Sequence, residues 1–484
     1  MSNETSSRRK WTRRDTLRLG ALAGAAAVLP VERLANALGR PPRNNTLPPF
    51  SVPMPVPPVA RPIATTSTTD YYAIAAYETW VNILPHVTTR LRTFDGGLPG
   101  PTIKAKAGRR TIVTYSNRLD LPIAVHLHGG HVPPESDGHP LDLIQPGRNR
   151  DYVYPNTQRA ATLWYHDHAH HTEAENVYRG LSGCYIISDD EEQALGLPSG
   201  QYDVPLLIRD ADLADDGTLI YDAGGFSDRK TVLVNGQPRP YFRVAARKYR
   251  FRLVNVSNER SFQLRLSTGD EFIQIATDGG LLPAPVRTPV VDLWSAERVE
   301  VVVDFSRYPI GTRVVLENTQ PLTNEPSEVM CFDVVRTASD NSRVPDRLTT
   351  LPPLDTATVT RDFVLSFDSA SRTFLINGKA FDPNRVDVRT KLGTTEIWRI
   401  TNADTAFGIP HSFHTHLVQF RVLDRDGVPV AATEAGLKDT VSIPAGQTVR
   451  IQMRWGDYTG RYMYHCHFLE HSTHAMMGQL EITR

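Results

Sequence analysis

The chain has 484 residues and carries 53 basic and 53 acidic side chains, so its formal net charge at pH 7 is zero. This balance argues against nucleic acid as a partner, because no excess of Lys and Arg is available to neutralise phosphates. The length allows several hydrophobic cores, and about three domains are expected.

The first 37 residues are predicted to be a targeting segment. The stretch Thr12–Arg18 contains two adjacent arginines before a weakly apolar run, and Ala35–Ala37 offers small residues to a signal peptidase. The pattern is similar to a twin-arginine export signal, with Thr16 where that signal prefers Phe. The apolar run is too short and too rich in Gly and Ala to cross a membrane. We expect a protein exported to the periplasm or beyond, without a transmembrane segment in the mature chain. A basic tail followed by a surface helix is the alternative.

Prolines recur through residues 38–64, which we predict to be an extended arm or linker. Beyond it, short alternating runs such as Thr111–Tyr115 and Val299–Val303 are separated by Gly, Pro and Asn. No long stretch carries a helical period. This pattern is typical of β-sandwiches or barrels.

An internal repeat predicts three such units. Each copy has a turn containing Gly, a strand, and a second strand that ends in Asn. The second strands are Ile112–Asn117, Tyr249–Asn255 and Glu396–Asn402. We therefore predict an all-β protein with domains over residues 65–195, 200–345 and 357–484.

Cysteine is scarce, with only Cys184, Cys331 and Cys466 in the chain. If Cys466 binds a metal, the other two could form a disulfide, but sequence separation says nothing about their geometry. We expect two free buried thiols.

Ten of the sixteen histidines fall into four tight groups. The groups are His126 and His128; His166 and His168; His411, His414 and His416; and His465, His467 and His471. Alternate side chains of a strand share a face, so each His-x-His pair can direct both rings towards adjacent ions. A lone pair is more often a solvated strand pair, but four groups in one chain predict a metal-binding protein.

The C-terminal group has a cysteine between two histidines. In a strand, Cys466 faces one way while His465 and His467 face the other. A thiolate, an imidazole from His471, a weak axial thioether from Met476 and one more histidine make the ligand set of a blue copper site. The tripeptide would then join a one-electron acceptor to a second metal cluster.

These four groups resemble the four signatures of the multicopper oxidases. The likeness runs from residue 70 to the C-terminus, and the stretches His126–Gly130, Leu163–His168 and Leu417–Asp424 are most similar to bacterial spore-coat-type laccases and bilirubin oxidases. The resemblance implies three cupredoxin-like Greek-key β-sandwiches. It also implies four copper ions per chain: one type 1, one type 2 and two type 3.

The resemblance assigns each ligand by position. The type 1 ion would take His411, Cys466, His471 and, axially, Met476. The type 2 ion would take His126 and His414. One type 3 ion would take His128, His166 and His467, and the other would take His168, His416 and His465. The cluster would lie between the first and third domains, and the middle domain would be a spacer.

The implied function is that of a laccase. A phenolic, aromatic-amine or bilirubin-like donor would lose electrons singly at the type 1 ion. The electrons would pass through Cys466 to His465 and His467, and O₂ would be reduced to water at the other three ions. The partners are then a small organic donor and O₂, and no oligomer is indicated.

Reduction of O₂ consumes protons, so a titratable group near the cluster is expected. Asp137 matches an acidic position near the type 2 ion in the family, and a turn residue before Gly138 is the alternative. Bacterial relatives usually carry Glu directly after the last type 1 histidine, where this chain has Ser472. Either Glu173 or Glu175 substitutes for that acid, or protonation is slower.

Two other functions fit parts of the sequence. A cuprous oxidase serving copper tolerance often carries Met-rich segments, whereas this chain has seven methionines, adjacent only at Met476 and Met477. A copper-free structural cupredoxin protein of the cell envelope should have lost ligands that this chain retains.

Overall fold

The computed structural model describes residues 47–484. The predicted targeting segment and the start of the predicted arm lie outside the described residues. Within them, no helix combines the length and the apolar character that crossing a membrane requires.

Strands dominate the described residues and are numbered β1–β32 in chain order. The first group comprises β1 (Ala64–Thr65), β2 (Thr69–Leu84), β3 (Val87–Phe94), β4 (Gly100–Lys106), β5 (Arg110–Asn117), β6 (Val125–His128), β7 (Asn149–Tyr154), β8 (Ala161–Asp167) and β9 (Ser182–Ser188). The second comprises β10 (Asp203–Ala211), β11 (Thr231–Val234), β12 (Gln237–Pro238), β13 (Tyr241–Ala246), β14 (Lys248–Asn255), β15 (Phe262–Leu266), β16 (Phe272–Thr277), β17 (Gly280–Thr288), β18 (Val291–Leu293), β19 (Arg298–Asp304), β20 (Arg313–Asn318) and β21 (Glu328–Thr337). The third comprises β22 (Val359–Asp368), β23 (Thr373–Ile376), β24 (Val388–Lys391), β25 (Thr395–Asn402), β26 (His411–Thr415), β27 (Arg421–Arg425), β28 (Val428–Pro429), β29 (Thr440–Ile443), β30 (Thr448–Arg454), β31 (Gly460–Cys466) and β32 (Met477–Thr483).

Helices are short and few in this part of the chain. They are α1 (Glu173–Tyr178), α2 (Asp190–Ala194) and α3 (Leu469–Thr473). Helix α1 follows His166 and His168 in the chain, and helix α3 follows His465 and His467.

The strands form six sheets, arranged as three pairs. In the first pair, β1-β2-β5-β7 (with β3 on β2) packs on β4-β9-β8-β6 around one apolar core. In the second, β12-β11-β10-β14-β19-β16-β17 packs on β13-β21-β20-β15-β18. In the third, β23-β22-β25-β30-β27-β28 packs on β24-β32-β31-β26-β29. The predicted all-β fold of three cupredoxin-like sandwiches is confirmed, while the domain boundaries stay a prediction. We call the pairs the first, middle and third sandwiches.

The described part of the arm, residues 47–64, lies along two sandwiches as extended chain. The amide of Met54 donates to the carbonyl of Tyr241 in the middle sandwich at 2.8 Å. The amide of Ala60 donates to the carbonyl of Thr102 in the first sandwich at 2.8 Å. The side chain of Met54 is buried, so the arm contributes to the core of the middle sandwich as well as crossing its surface.

The repeated asparagine of the sequence makes the same contacts in all three sandwiches. Asn117, Asn255 and Asn402 are buried at the ends of β5, β14 and β25. Each side-chain amide donates to two backbone carbonyls at 2.7–3.0 Å. Each Oδ1 accepts the amide of the residue two positions later. Asn255 and Asn402 thereby tie one sheet to its partner, at Leu293 of β18 and Ile443 of β29.

Cys184, Cys331 and Cys466 are all free and buried. The expectation that Cys184 and Cys331 are free, buried thiols therefore agrees with the structure, and no covalent cross-link between cysteines supports the fold.

We predict that Asn255→Ala lowers the free energy of unfolding by about 2 kcal/mol or more. The substitution removes the side-chain donor to the buried carbonyls of Arg260 and Leu293, and a buried group that loses its hydrogen-bond partner costs about 1–3 kcal/mol. Thermal unfolding at one scan rate measures the shift. Asn377→Ala, at an exposed asparagine with similar backbone contacts, is the control and should shift the transition less. An unchanged transition for Asn255→Ala would contradict the proposed tie.

Candidate metal centre

Eight histidines meet where the first and third sandwiches contact each other. They are His126 and His128 on β6, His166 and His168 at the end of β8, His414 and His416 at the end of β26, and His465 and His467 at the end of β31. All eight are buried. Strand alternation directs both rings of each pair to one face, and the contact between sandwiches brings the four pairs together.

The rings of the two sandwiches stack on each other. The centroids of His126 and His416 are 3.8 Å apart, as are those of His128 and His414. The Nε2 atoms of His416 and His465 lie 3.3 Å apart. Two imidazole nitrogens approach this closely when a proton or a shared cation lies between their lone pairs.

Many of these ring nitrogens have no hydrogen-bond partner among the described residues. The unpartnered atoms include Nε2 of His126, His166, His168, His414 and His467, Nδ1 of His128, and Nδ1 of His467. Buried polar atoms without partners are rare because their desolvation is not repaid. Unpartnered nitrogen atoms whose neighbours include other ligand atoms within 4.8 Å fit metal ions, which would supply the missing contacts.

Burial also keeps the eight histidines in the form that binds metals. Desolvation lowers the pKa of every one of them, to about 4 for His465 and to about 3 for His168. The neutral imidazole, with a free lone pair, is the ligand form.

Potential ligand atoms within 4.8 Å of one another divide the cluster into overlapping groups. These are His126, His128 and His166; His126, His414 and His416; His168, His416 and His465; and His128, His414 and Asp439. The third group coincides with one predicted type 3 set, and the second contains both predicted type 2 ligands.

A separate group lies on the other face of β31. The Sγ atom of Cys466 is 3.5 Å from Nδ1 of His411 and 3.6 Å from Nδ1 of His471, and these two nitrogens are 3.2 Å apart. Met476 is buried nearby, and its carbonyl accepts the amide of Cys466 at 3.1 Å. Burial raises the pKa of the Cys466 thiol to about 12, so the thiolate requires a bound cation.

Two neighbours hold the imidazoles of this second group. Oδ2 of Asp404 accepts Nε2–H of His411 at 2.7 Å. The ring of Phe374 stacks on His471 at 3.6 Å with an interplanar angle of 20°. Both contacts leave Nδ1 of the histidine facing Cys466.

Helix α3, which carries His471, is anchored to the middle sandwich. Glu470 accepts from Arg229 at 2.6 Å and from the side chain of Asn258 at 2.8 Å. The carbonyl of Asn258 accepts the amide of Leu469 at 3.0 Å. The middle sandwich contributes no histidine, but the interpretation of it as a spacer is incomplete.

Asp137 lies against two histidines of the cluster. Its backbone carbonyl accepts Nδ1–H of His126 at 2.5 Å, and Oδ2 accepts Nδ1–H of His416 at 2.7 Å. Gly138 adopts a φ of +80°, and a Cβ there would lie 2.2 Å from the carbonyl oxygen of Val125. The turn therefore needs glycine, and the carboxyl of Asp137 faces the cluster instead of solvent.

The acid absent at position 472 is supplied from another element. Ser472 donates a hydrogen bond to Oε2 of Glu173, and Oε1 of Glu173 lies 2.8 Å from Nδ1 of His168. Glu173 is buried on α1, and desolvation raises its pKa to about 7. The side chain of Glu175 is 35% exposed and pairs with Arg179 at 2.6 Å. Of the two candidates, only Glu173 reaches the histidines.

Two residues that orient histidines were not found from the sequence. Asp404 orients His411, and Asp439 accepts Nε2–H of His128 at 3.0 Å. Asp404 lies two positions after the repeated Asn402, but no local pattern separates it from a turn aspartate. Asp439 is 311 positions from His128, so no spacing rule connects them.

Comparisons with known proteins agree with this geometry. Two family models described as multicopper oxidase match residues 75–192 and 343–484. The chain is 36% identical to a laccase of Bacillus subtilis (strain 168), over 90% of this chain and 99% of that protein. It is 37% identical to a bilirubin oxidase of Albifimbria verrucaria, over 90% and 82% respectively. The crystal structure of a laccase from Pediococcus acidilactici superposes with a TM-score of 0.84 at 33% identity, covering 89% of this chain and 94% of that one.

Asp404→Asn should weaken copper binding at the His411–Cys466–His471 group by roughly tenfold or more, because loss of a histidine's outer partner typically costs 10–100-fold in affinity. The amide keeps the shape but removes the charge that orients the ring. Competition between the protein and a copper chelator gives the affinity. Asp424→Asn, which removes a buried acid of the same sandwich that pairs with Arg450, is the control. Equal affinities for the two variants would show that Asp404 does not support the ligand.

Proposed function

The chain belongs to the multicopper oxidase family and is a laccase-like, oxygen-dependent oxidoreductase, and we propose which of its residues hold copper, handle protons and meet the donor. Two sets of ligand atoms on opposite faces of β31 carry the proposal. One set contains Cys466, and the other consists of histidines whose buried nitrogens lack partners in the described residues.

We propose four copper ions per chain. His411, Cys466, His471 and Met476 would hold type 1 copper, and His126 and His414 would hold type 2 copper. His128, His166 and His467 would hold one type 3 ion, and His168, His416 and His465 would hold the other. Copper bound in these sites would accept single electrons from an organic donor and reduce O₂ to water.

The peptide His465-Cys466-His467 links the two sites through covalent bonds. Cys466 contributes its sulfur to one face of the strand, and its neighbours contribute imidazoles to the other. Backbone geometry therefore fixes the separation between Cys466 and the two neighbouring ligands, His465 and His467.

We propose a phenol, an aromatic amine or a bilirubin-like pigment as the donor. His471 is 5% exposed, whereas His411, Cys466 and Met476 are 0% exposed. A donor would therefore approach the type 1 group from the His471 side, where Phe374 adds an aromatic surface. The laccase and bilirubin oxidase relatives support aromatic donors.

We propose that Asp137 supplies protons to the histidine cluster. Its Oδ2 accepts from His416, whereas Oδ1 has no hydrogen-bond partner in the described chain and is free to carry a proton. Burial raises the pKa of this carboxyl well above its usual value, which favours the protonated form. Glu173, beside His168, would be a second buried acid for the same cluster.

We also propose export, by the twin-arginine route, to the periplasm or the extracellular space. The support is the Thr12–Arg18 stretch and the small residues at Ala35–Ala37.

Purified protein should contain four copper ions and absorb as a blue copper protein. Cys466→Ser should remove the blue absorption and abolish oxidation of every donor, because a hydroxyl is a harder and weaker copper ligand than a thiolate. Cys184→Ser, at a buried thiol outside both ligand groups, should keep both properties. Metal analysis, visible spectra and oxygen consumption with a panel of donors give the answer. Protein without copper, or a blue and active Cys466→Ser variant, would refute the assignment.

Asp137→Asn should slow reoxidation by O₂ while leaving anaerobic reduction of type 1 copper nearly unchanged. The amide preserves size and hydrogen-bonding reach but cannot supply a proton. The defect should grow as pH rises, because solvent protons become scarce. Stopped-flow spectroscopy follows the two half-reactions separately, with Glu135→Gln, at an exposed acid of the same turn, as the control. Reoxidation of Asp137→Asn at the wild-type rate would mean that protons enter elsewhere.

A further inference from the structure

One guanidinium joins all three sandwiches beside the histidine cluster. Arg298, on β19 of the middle sandwich, is fully buried. Its Nε donates to the carbonyl of Thr162 in the first sandwich at 3.0 Å. Its Nη1 donates to Oδ1 of Asp439 in the third sandwich at 2.6 Å and to the carbonyl of Ala296 at 3.0 Å. Its Nη2 donates to the other oxygen of Asp439 and to the carbonyl of Asp278 at 3.2 Å. Every nitrogen of the group is therefore engaged.

Asp439, which Arg298 holds in place, accepts hydrogen bonds from two histidines of the cluster. Its Oδ1 accepts Nε2–H of His128 at 3.0 Å and the hydroxyl of Thr440 at 2.9 Å. Its backbone carbonyl accepts Nδ1–H of His414 at 2.8 Å. His128 and His414 stack on each other and are proposed to hold different copper ions, so one residue sets the orientation of both ligands.

The carboxylate of Asp439 is close enough to become a ligand itself. A side-chain oxygen of Asp439 and one ring nitrogen each of His128 and His414 lie within 4.8 Å of one another. Carboxylate oxygen is an acceptable ligand for many ions, and the coordination geometry of an ion depends on which ligand atoms can reach that ion. The planar guanidinium of Arg298 donates to both oxygens of this carboxylate at once, so neither oxygen is left without a partner.

Gly129 makes room for this pair from the side of the first sandwich. It follows His128 and adopts a φ of +82°. A Cβ at this position would lie 2.6 Å from Nη2 of Arg298 and 2.6 Å from Oδ2 of Asp439. A side chain at this position would displace the ion pair. The absence of a side chain at Gly129 therefore allows Arg298 and Asp439 to contact each other.

We propose that Arg298 is a positioning residue for the trinuclear copper site. It holds Asp439 out of the coordination sphere and in the place where it orients His128 and His414. The inference rests on the copper ligands proposed above. It adds that the middle sandwich, which provides no ligand, determines which side chains of the other two sandwiches can coordinate the ions.

Arg298→Lys is the sharpest test because it retains the positive charge. A buried pair that loses one charge leaves the other uncompensated, and lysine avoids that effect while losing the bidentate fork. We expect type 1 absorption to be unchanged. We expect type 2 copper either to be lost at roughly 10-fold lower chelator concentration than in wild type, since outer contacts of this kind contribute 10–100-fold to affinity, or to give an altered electron paramagnetic resonance spectrum.

Arg250→Lys is the matched control. Arg250 is also buried in the middle sandwich, on the adjacent strand β14, and its Nε donates to Glu300 at 2.6 Å. Its carboxylate partners are Glu192 and Glu300, neither of which is among the proposed copper ligands. This variant should keep both the type 1 absorption and the type 2 spectrum, whatever its stability.

Gly129→Ala perturbs the same ion pair with Arg298 left intact, and it should give the same selective change in type 2 copper. It keeps the inference testable if Arg298→Lys does not fold. A wild-type type 2 spectrum and copper content in whichever variant folds would overturn the inference. Loss of the type 1 absorption together with the type 2 signal would also overturn it, since that indicates general disruption. Absence of copper from wild type and from Arg250→Lys would instead refute the proposed function.

Discussion

Burying eight imidazoles in one place is the constraint on which this structure depends. Each ring loses its hydration, and several ring nitrogens have no partner in the described part of the protein. A single flexible element could not keep such a cluster together against that desolvation cost. Here four strand ends, two from each of two sandwiches, direct the rings inward, and the sheets hold these strand ends in place. The Cys466 group on the opposite face of β31 uses the same strand, so the two sites share one rigid support.

The division of labour among the sandwiches follows from this constraint. The first and third sandwiches supply the histidines, and neither could form the cluster alone because each stacked ring pair has one member from each. The middle sandwich contacts both. Its Arg298 hydrogen-bonds to Thr162 and Asp439, and its Asn258 hydrogen-bonds to Glu470 of helix α3, beside His471. The geometry of the site is therefore a property of all three sandwiches, although the ligands come from two.

Local patterns in the sequence were enough to predict the fold class and to group the candidate ligands. The period of two along a strand applies wherever His-x-His occurs, and the repeated asparagines mark equivalent strand ends in each sandwich. Contacts between distant residues could not be predicted in this way. Ser472 and Glu173 are 299 positions apart, and nothing in either neighbourhood points to the other. The same holds for Arg298 and Asp439, since buried charged pairs have no periodic signature and are specified by packing between sandwiches. Prediction from the sequence is therefore limited to residues that are close along the chain. Strand alternation identifies which histidines share a face, whereas tertiary packing determines which acidic side chains contact those histidines.

The arm of residues 47–64 has a consequence for how the protein is assembled. Met54 and Ala60 are bonded to Tyr241 and Thr102, which are synthesised later in the chain. During translation the arm therefore leaves the ribosome before either of its docking surfaces exists, and it must wait until the middle sandwich has formed. Because the side chain of Met54 is part of the core of that sandwich, the arm can bind there only after the middle sandwich has formed. Protection of this segment from a protease during synthesis would consequently indicate that the middle sandwich has formed, before the third sandwich is complete.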